Sequence, residues 1–214
     1  MVTSAVKVSV LMSVYNTDFR LIKRAMDSVM NQEFQDFELI IIDDGSRNDT
    51  HADLLDYCIS HEQQIVYLRH SNRGQSESIN RGILICNGAY ITMLDADDEY
   101  KPNHLSACLN EMEYADLIAS TTETVVDEEY DYYVPDKNDH NQLIHVDECI
   151  LFATLFGRKE VFTQLKFQRE YAADAHFFEH ASLYFNVKKV DLKTYIYYRN
   201  IPNSTCAVMK SRLV

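Results

Sequence analysis

Residues 90–98 read Tyr90-Ile91-Thr92-Met93-Leu94-Asp95-Ala96-Asp97-Asp98. An apolar run stops at three carboxylates. A short run of this kind reads as a buried strand of a parallel sheet, and α/β proteins take ligands at the carboxyl ends of such strands. Carboxylates this close repel one another unless something positive lies between them. A hard divalent cation meets that need because it prefers oxygen ligands, and it can also hold a diphosphate.

The flanking sequence repeats the pattern. Residues 6–14 form an apolar strand. Leu21, Ile22, Ala25, Met26, Val29 and Met30 then recur at helical spacing behind Asp18, a candidate cap. Residues 37–42 are a second strand closed by Asp43-Asp44-Gly45-Ser46. A helix starting at Asp49 or Thr50 carries Leu54, Leu55 and Cys58. Residues 65–68 are a third strand, 76–84 a helix and 90–94 the fourth strand. Pro102 suits the first turn of a helix presenting Leu105, Leu109 and Met112. Strands alternating with helices predict right-handed crossovers and an α/β fold, a Rossmann-like, mostly parallel sheet with helices on both faces.

The second half is less regular. Residues 116–120 read as one more strand, and 123–148, acidic and aromatic, as an irregular excursion. Residues 152–156 read as a short strand, with Gly157 turning into a helix. Residues 174–184 are helical, and 187–198 alternate like a long strand. The expectation is one domain over 1–214. Residues 1–100 form a nucleotide-type half, and 101–214 a smaller mixed lobe that shares the sheet.

Composition narrows the function. The chain has 214 residues, 46% of them apolar, enough for a proper core; acidic residues outnumber basic ones by 33 to 20, a formal charge of −13. That charge argues against a nucleic-acid partner, whose phosphates require Lys and Arg, and against docking on an anionic membrane. The five cysteines (Cys58, Cys86, Cys108, Cys149 and Cys206) are scattered and form no CxxC pair. They read as reduced thiols in a cytoplasmic protein. No apolar signal region and no run of membrane-spanning length is present, so a soluble, unexported protein with no transmembrane segment is expected.

Three groups end strands that share one sheet edge: Ser13-Val14-Tyr15-Asn16, Asp43-Asp44-Gly45-Ser46 and Asp95-Ala96-Asp97-Asp98. There they converge. Tyr15 offers a ring for a base, and Asp44 a carboxylate for a ribose or base. Asp95 and Asp97 offer ligands for a metal on a diphosphate, which would act as a Lewis acid on the leaving phosphate. Neither GxGxxG nor GxxxxGK[ST] is present, so the phosphates need a cation or basic side chains. Each group also has a plainer reading. Asp-Asp-Gly-Ser alone is a turn with a cap, and Asp-x-Asp alone is an acidic surface turn. An EF-hand fails, because from Asp95 the glycine position holds Tyr100 and the closing Glu position holds Ser106. The acidic run over 127–133 reads as a solvated loop. His176 and His180, four apart on a helix, read as packing or surface residues before they read as ligands.

Taken together, the segments resemble the inverting glycosyltransferases of family 2, which have the GT-A fold. The resemblance rests on residues 8–16, Ser28-Val29-Met30-Asn31-Gln32 and residues 37–46. It continues through Asn72-Arg73-Gly74, Asn80-Arg81-Gly82-Ile83, and Gly88-Ala89-Tyr90-Ile91 leading into Leu94-Asp95-Ala96-Asp97-Asp98. Order and spacing match over about the first 105 residues. The resemblance implies transfer of a sugar from a nucleoside diphosphate, UDP first, to a hydroxyl of a glycan or glycoconjugate, with inversion. It assigns base and ribose contacts to Val14, Tyr15 and Asp44, and places Asn72 and Gly74 near the donor. It gives Asp95 a ribose or metal contact and Asp97 the metal, Mn²⁺ or Mg²⁺. The general base falls on Asp174 in Tyr171-Ala172-Ala173-Asp174, where a helix cap is the plainer reading.

The chain departs from the family in three places. Ala173 replaces a Glu, Ser78-Ile79-Asn80 lacks an Arg, and Ile201 stands at a metal-binding His position within Tyr198-Arg199-Asn200-Ile201-Pro202-Asn203-Ser204. These departures keep a second reading open, a non-catalytic domain that binds nucleotide sugars or glycans. A sugar nucleotidyltransferase is disfavoured because residues 8–24 contain no glycine. The chain is expected to be a minimal transferase or one domain of a larger synthase.

Overall fold

The computed structural model describes residues 6–139, 141–169 and 172–201. The first half is a βα succession: β1 (Val8–Val14), α1 (Phe19–Met30), β2 (Phe37–Asp43), α2 (His51–Ser60), β3 (Ile65–Arg69), α3 (Gln75–Ile85) and β4 (Tyr90–Met93). β1 pairs in parallel with both β2 and β4, and β2 with β3. Every residue of β2 is buried, as its unbroken apolar run requires of a strand covered on both faces. α1 buries Ile22, Ala25, Met26 and Val29 against the sheet, and Asp18 caps it, its carboxylate accepting from the Arg20 N–H at 2.8 Å. α2 starts behind Thr50, and the following strand and helix fall where the periodicity puts them.

The second half adds β5 (Glu99–Tyr100), α4 (His104–Glu111), β6 (Leu117–Val125), β7 (Tyr133–Pro135), β8 (Leu143–His145), β9 (Leu155–Arg158), α5 (Lys159–Gln164), α6 (Ala173–Ala181) and β10 (Val187–Tyr198). One eight-stranded sheet runs through both halves in the order β3-β2-β1-β4-β9-β6-β10-β5, and β7 and β8 form a separate hairpin. β9 is antiparallel to both of its neighbours, so it joins the parallel first half to the mixed half. Two apolar clusters lie on opposite faces of the sheet. One is built on α1 and Leu105 of α4, the other on Ile79 of α3, Phe162 of α5 and Phe177 of α6.

Four expectations about the elements need correction. The strand expected over 152–156 lies at Leu155–Arg158, after a 3₁₀ turn over Phe152–Thr154. Gly157 is not a turn residue. It sits mid-strand, where an added Cβ would lie 2.9 Å from the Asp116 carbonyl oxygen and 2.8 Å from Leu117 Cδ1, so β6 approaches too closely for any side chain. Pro102 precedes the helix N-cap Asn103 and lies outside α4. The excursion over 123–148 is partly ordered, since β6 continues to Val125 and the β7–β8 hairpin follows. The long last strand is as read, with a register shift between Val190 and Tyr195 against β6, around Lys193 at φ 50°.

Candidate active site

The loops after β1, β2 and β4 do meet at one edge of the sheet. Gly45, at φ 78°, makes the turn after β2; a Cβ there would lie 2.8 Å from the Asn72 nitrogen. This close approach brings residues 72–74 onto Asp44. The Asp44 carboxylate accepts from the Arg73 N–H at 2.6 Å, the Gly74 N–H at 2.8 Å and Asn72 Nδ2 at 2.9 Å. His70 Nδ1 lies 3.4 Å from it. Asp44 is buried and fixes the shape of the Asn72–Gly74 loop, a contact the sequence reading did not anticipate. Its carboxylate is taken up within the protein, and Asp44, Asn72 and Gly74 line neither of the cavities described below. Its neighbour Asp43 is turned inward: Oδ1 accepts from the Ser46 N–H at 2.7 Å and Oδ2 from Tyr67 at 2.8 Å. Burial alone would raise the Asp43 pKa. The hydrogen bonds from Ser46 and Tyr67, with the Arg69 charge, outweigh burial and hold it below the usual carboxylate value.

Above this rim lies a cleft of about 630 Å³. Tyr15, Gln75, Asp95, Asp97, Phe152, Asp174 and Tyr195 are among its walls. Tyr15 is about half exposed, its ring open to the cleft, whereas Val14 is buried beneath it.

The three carboxylates of 95–98 have different surroundings. Asp98 is buried; Oδ2 accepts from Tyr195 at 2.6 Å and Oδ1 from the Tyr198 N–H at 2.8 Å. It ties the acidic loop to β10 and, though among the residues lining the cleft, has both oxygens engaged by the protein. Burial, with the charges of Asp95 and Asp97, pushes its pKa well up. Asp95 faces the cleft. Burial first, then the charges of Asp97 and Asp174, push its pKa to about 7, against the hydrogen bond from Gln75 Nε2 at 2.7 Å. Burial also raises Asp97, and Arg24, which donates to the Asp97 carbonyl, opposes the rise. Arg24 also pairs with Glu99 at 3.1 Å and lies over the Tyr198 ring, so the loop is held from behind.

Two carboxylates that burial destabilises as anions, Asp95 also by the charge of Asp97, fit a divalent cation, which would supply the missing counter-charge. Among the described residues no group of three or more His, Cys, Asp or Glu is gathered to hold a metal alone. Asp95 and Asp97 would hold such an ion with further ligands supplied from outside these side chains. His176 and His180 are exposed on α6 and line neither cavity.

Asp174 stands in the first turn of α6. Its carboxylate accepts from the Ala175 N–H at 2.8 Å and the Phe152 N–H at 3.1 Å. Burial raises its pKa against these hydrogen bonds. Ala172, immediately before the helix, takes φ 52°, a left-handed conformation costly for a residue with a Cβ. A second cavity, of about 840 Å³, opens on the other side of Asp174. The two cavities share Gln75, Leu151, Phe152, Asp174, Tyr197 and Ile201. Asp174 thus stands on the wall between two compartments, one carrying Asp95 and Asp97, the other free for a second molecule. Tyr171 and Pro202–Ser204 of the motifs quoted above lie outside the described residues.

Sequence reasoning missed Gln75, which holds Asp95 and lines both compartments, and Tyr195, which anchors Asp98. A glutamine after a turn glycine and a tyrosine in an alternating strand carry no chemical signature. Only the tertiary contacts give them a role.

A family model described as Glycosyl transferase family 2 matches residues 9–186. An uncharacterized glycosyltransferase of Rickettsia bellii is 38% identical over 127 residues, 59% of this chain and 18% of that protein. Among solved structures, S. aureus TarS 1-349 in complex with UDP-GlcNAc superposes with a TM-score of 0.71 at 20% identity, over 92% of this chain and 60% of that one. The mannosyltransferase PcManGT from Pyrobaculum calidifontis in complex with GDP-Man and Mn²⁺ gives a TM-score of 0.74 at 14% identity, over 99% of this chain and 61% of that one. At these identities the structural likeness is one of fold. The chain spans less than two thirds of the length of each of these three proteins.

Proposed function

The chain belongs to glycosyl transferase family 2 and is a glycosyltransferase of the GT-A fold, and on that premise we propose that it moves a sugar from a nucleoside diphosphate, UDP first, to a hydroxyl of a glycan or glycoconjugate, with inversion. The observation that carries this reading is the position of Asp174, on the wall shared by the compartment of Asp95 and Asp97 and a second compartment beside it.

The residues divide the work by place. Tyr15 stacks on the base, and Asp44 with the Asn72–Gly74 loop borders the ribose and donor. Asp95 and Asp97 hold the divalent ion, Mn²⁺ or Mg²⁺, which when bound acts as a Lewis acid on the departing diphosphate. Asp174 takes the proton from the attacking hydroxyl on the side away from the diphosphate. A carboxylate raised by burial is a better proton acceptor near neutral pH than a solvated one. The two hydrogen bonds from Ala175 and Phe152 orient it without neutralising it. Phe152 and Leu151 line the junction and limit water that would otherwise compete as acceptor.

The test is release of nucleoside diphosphate from a panel of UDP-, GDP- and dTDP-sugars with Mn²⁺ or Mg²⁺, in wild type and Asp97→Ala. Full activity of the variant would remove the metal assignment. Two observations favour the second reading, a domain that binds nucleotide sugar without turnover. Ile201 lines both compartments where the family carries a metal-binding His, and Ala173 is buried where it carries a Glu. Tight UDP binding with no turnover across donors and acceptors would select that reading.

A further inference from the structure

The second compartment has a chemistry of its own. Its wall is mostly apolar, with the rings of Tyr133 and Phe178 among its lining, and its volume of about 840 Å³ exceeds that needed for one sugar ring. Its charges are not balanced. Lys137, from the loop of the β7–β8 hairpin, is already paired with Glu179 of α6 at 2.6 Å. Lys189 and Arg199 then face Asp127, Asp136 and Glu148 as well as Asp174. Arg199 is turned towards the wall, donating to the Tyr133 carbonyl oxygen at 3.4 Å and lying over the Tyr197 ring. Inside a concave, low-dielectric wall such an excess focuses a negative potential.

We propose that this compartment selects acceptors by charge: it admits an uncharged oligosaccharide, whose apolar ring faces lie on Tyr133 and Phe178, and turns away glycans bearing carboxylates, sulfates or phosphates. The selection acts through Asp127 and Glu148, exposed carboxylates at the cavity wall with no part in the chemistry. The proposal rests on the transferase reading for its meaning, but the field can be measured without any nucleotide.

Cys149 is the probe. It is half-buried in this compartment, whereas Cys58, Cys86 and Cys108 are buried in the core. In a Cys206→Ser background, its modification rate is measured with three methanethiosulfonates carrying a hydroxyethyl, a sulfonatoethyl or a trimethylammonioethyl group. Each rate is divided by that of the same reagent with free cysteine, which removes intrinsic reactivity, and the low acidity of the Cys149 thiol cancels when the three reagents are compared with one another. The anionic reagent is expected to lag the neutral one by about tenfold, with the cationic one no slower than the neutral. Asp127→Asn with Glu148→Gln should narrow the gap and leave the neutral rate unchanged. An anionic reagent as fast as the neutral one overturns the proposal. A second arm uses saturation-transfer NMR with UDP and Mn²⁺ present. Cellotriose, maltotriose and chitotriose are compared with a hyaluronan tetrasaccharide. Signal from at least one uncharged trisaccharide and none from the anion supports the proposal; signal from the anion, or silence throughout, defeats it. Loss of UDP binding by calorimetry would instead count against the transferase reading, leaving the reagent rates standing.

Discussion

Asp174 and Asp95 are both carboxylates raised by burial, yet their substitutions should behave differently. Asp174→Asn keeps the shape and the Phe152 contact but removes the proton acceptor. Transfer should fall by about 10²–10⁴-fold, while UDP affinity by calorimetry stays near wild type. A matching loss of UDP binding would mean that Asp174 serves the donor. For Asp95 the sign follows from its raised pKa, about 7 in the fold against an ordinary 3.8. The folded state favours the acid form, so the stability that depends on protonation is present at low pH and is lost as pH rises from about 3.8 through about 7. Asp95→Asn should therefore raise the melting temperature of metal-free protein at pH 8 and change little at pH 4. Each kcal/mol gained moves the midpoint by about 2–4 °C in a chain of this size. Mn²⁺ with UDP should stabilise wild type and not the variant.

At the scale of elements, α4 and β10 meet through a buried histidine. His104 stacks on Tyr100 with ring centroids 3.8 Å apart and shares a hydrogen bond with Thr194 at 2.8 Å. Burial drives its pKa down to about 3. The unfolded chain binds a proton near pH 6.5 that the folded chain refuses, so stability falls as pH drops from about 6.5 towards about 3 and is flat above. At pH 5 the loss is about 2 kcal/mol relative to pH 7.5. Urea midpoints of wild type and His104→Gln at both values should show a smaller acid loss in the variant. β9 makes a steric prediction instead. Gly157→Ala places a methyl against a backbone oxygen and should cost about 1–3 kcal/mol in urea denaturation. The same strand explains where sequence reading slipped. β1, β2 and β4 are nearly unbroken apolar runs and could be read directly. β9 carries its glycine because of β6, which lies nearly 40 residues earlier in sequence and is invisible to local periodicity. β7 and β8 hold too few apolar residues to show a period.

For the whole molecule, what was legible followed from alternation. Strand ends of a parallel sheet share an edge, so the loops after β1, β2 and β4 were expected at one rim and they meet there; Tyr15 and Asp95 line the cleft, while Asp44 is buried behind it. What was not legible came from the mixed half: Asp174 could be named in advance only through the family resemblance, and Tyr195 of β10 carried no signal before its contact with Asp98. The family match covers residues 9–186, yet the chain spans only part of the length of its relatives, so the proposed activity is a statement about this stretch. If nucleotide binds as proposed, UDP at about 100 times its dissociation constant adds about 2.7 kcal/mol to stability. A thermal shift with UDP and Mn²⁺ that exceeds the shift with either alone would place ion and nucleotide at one locus. The partition made by Gln75, Phe152 and Asp174 has a further consequence, because those side chains cannot serve one occupant without being adjusted for the other. Linkage then requires that whatever factor the sugar nucleotide applies to the second ligand's affinity is returned in equal measure. Titrating each ligand in the presence of the other should give the same coupling ratio in both directions.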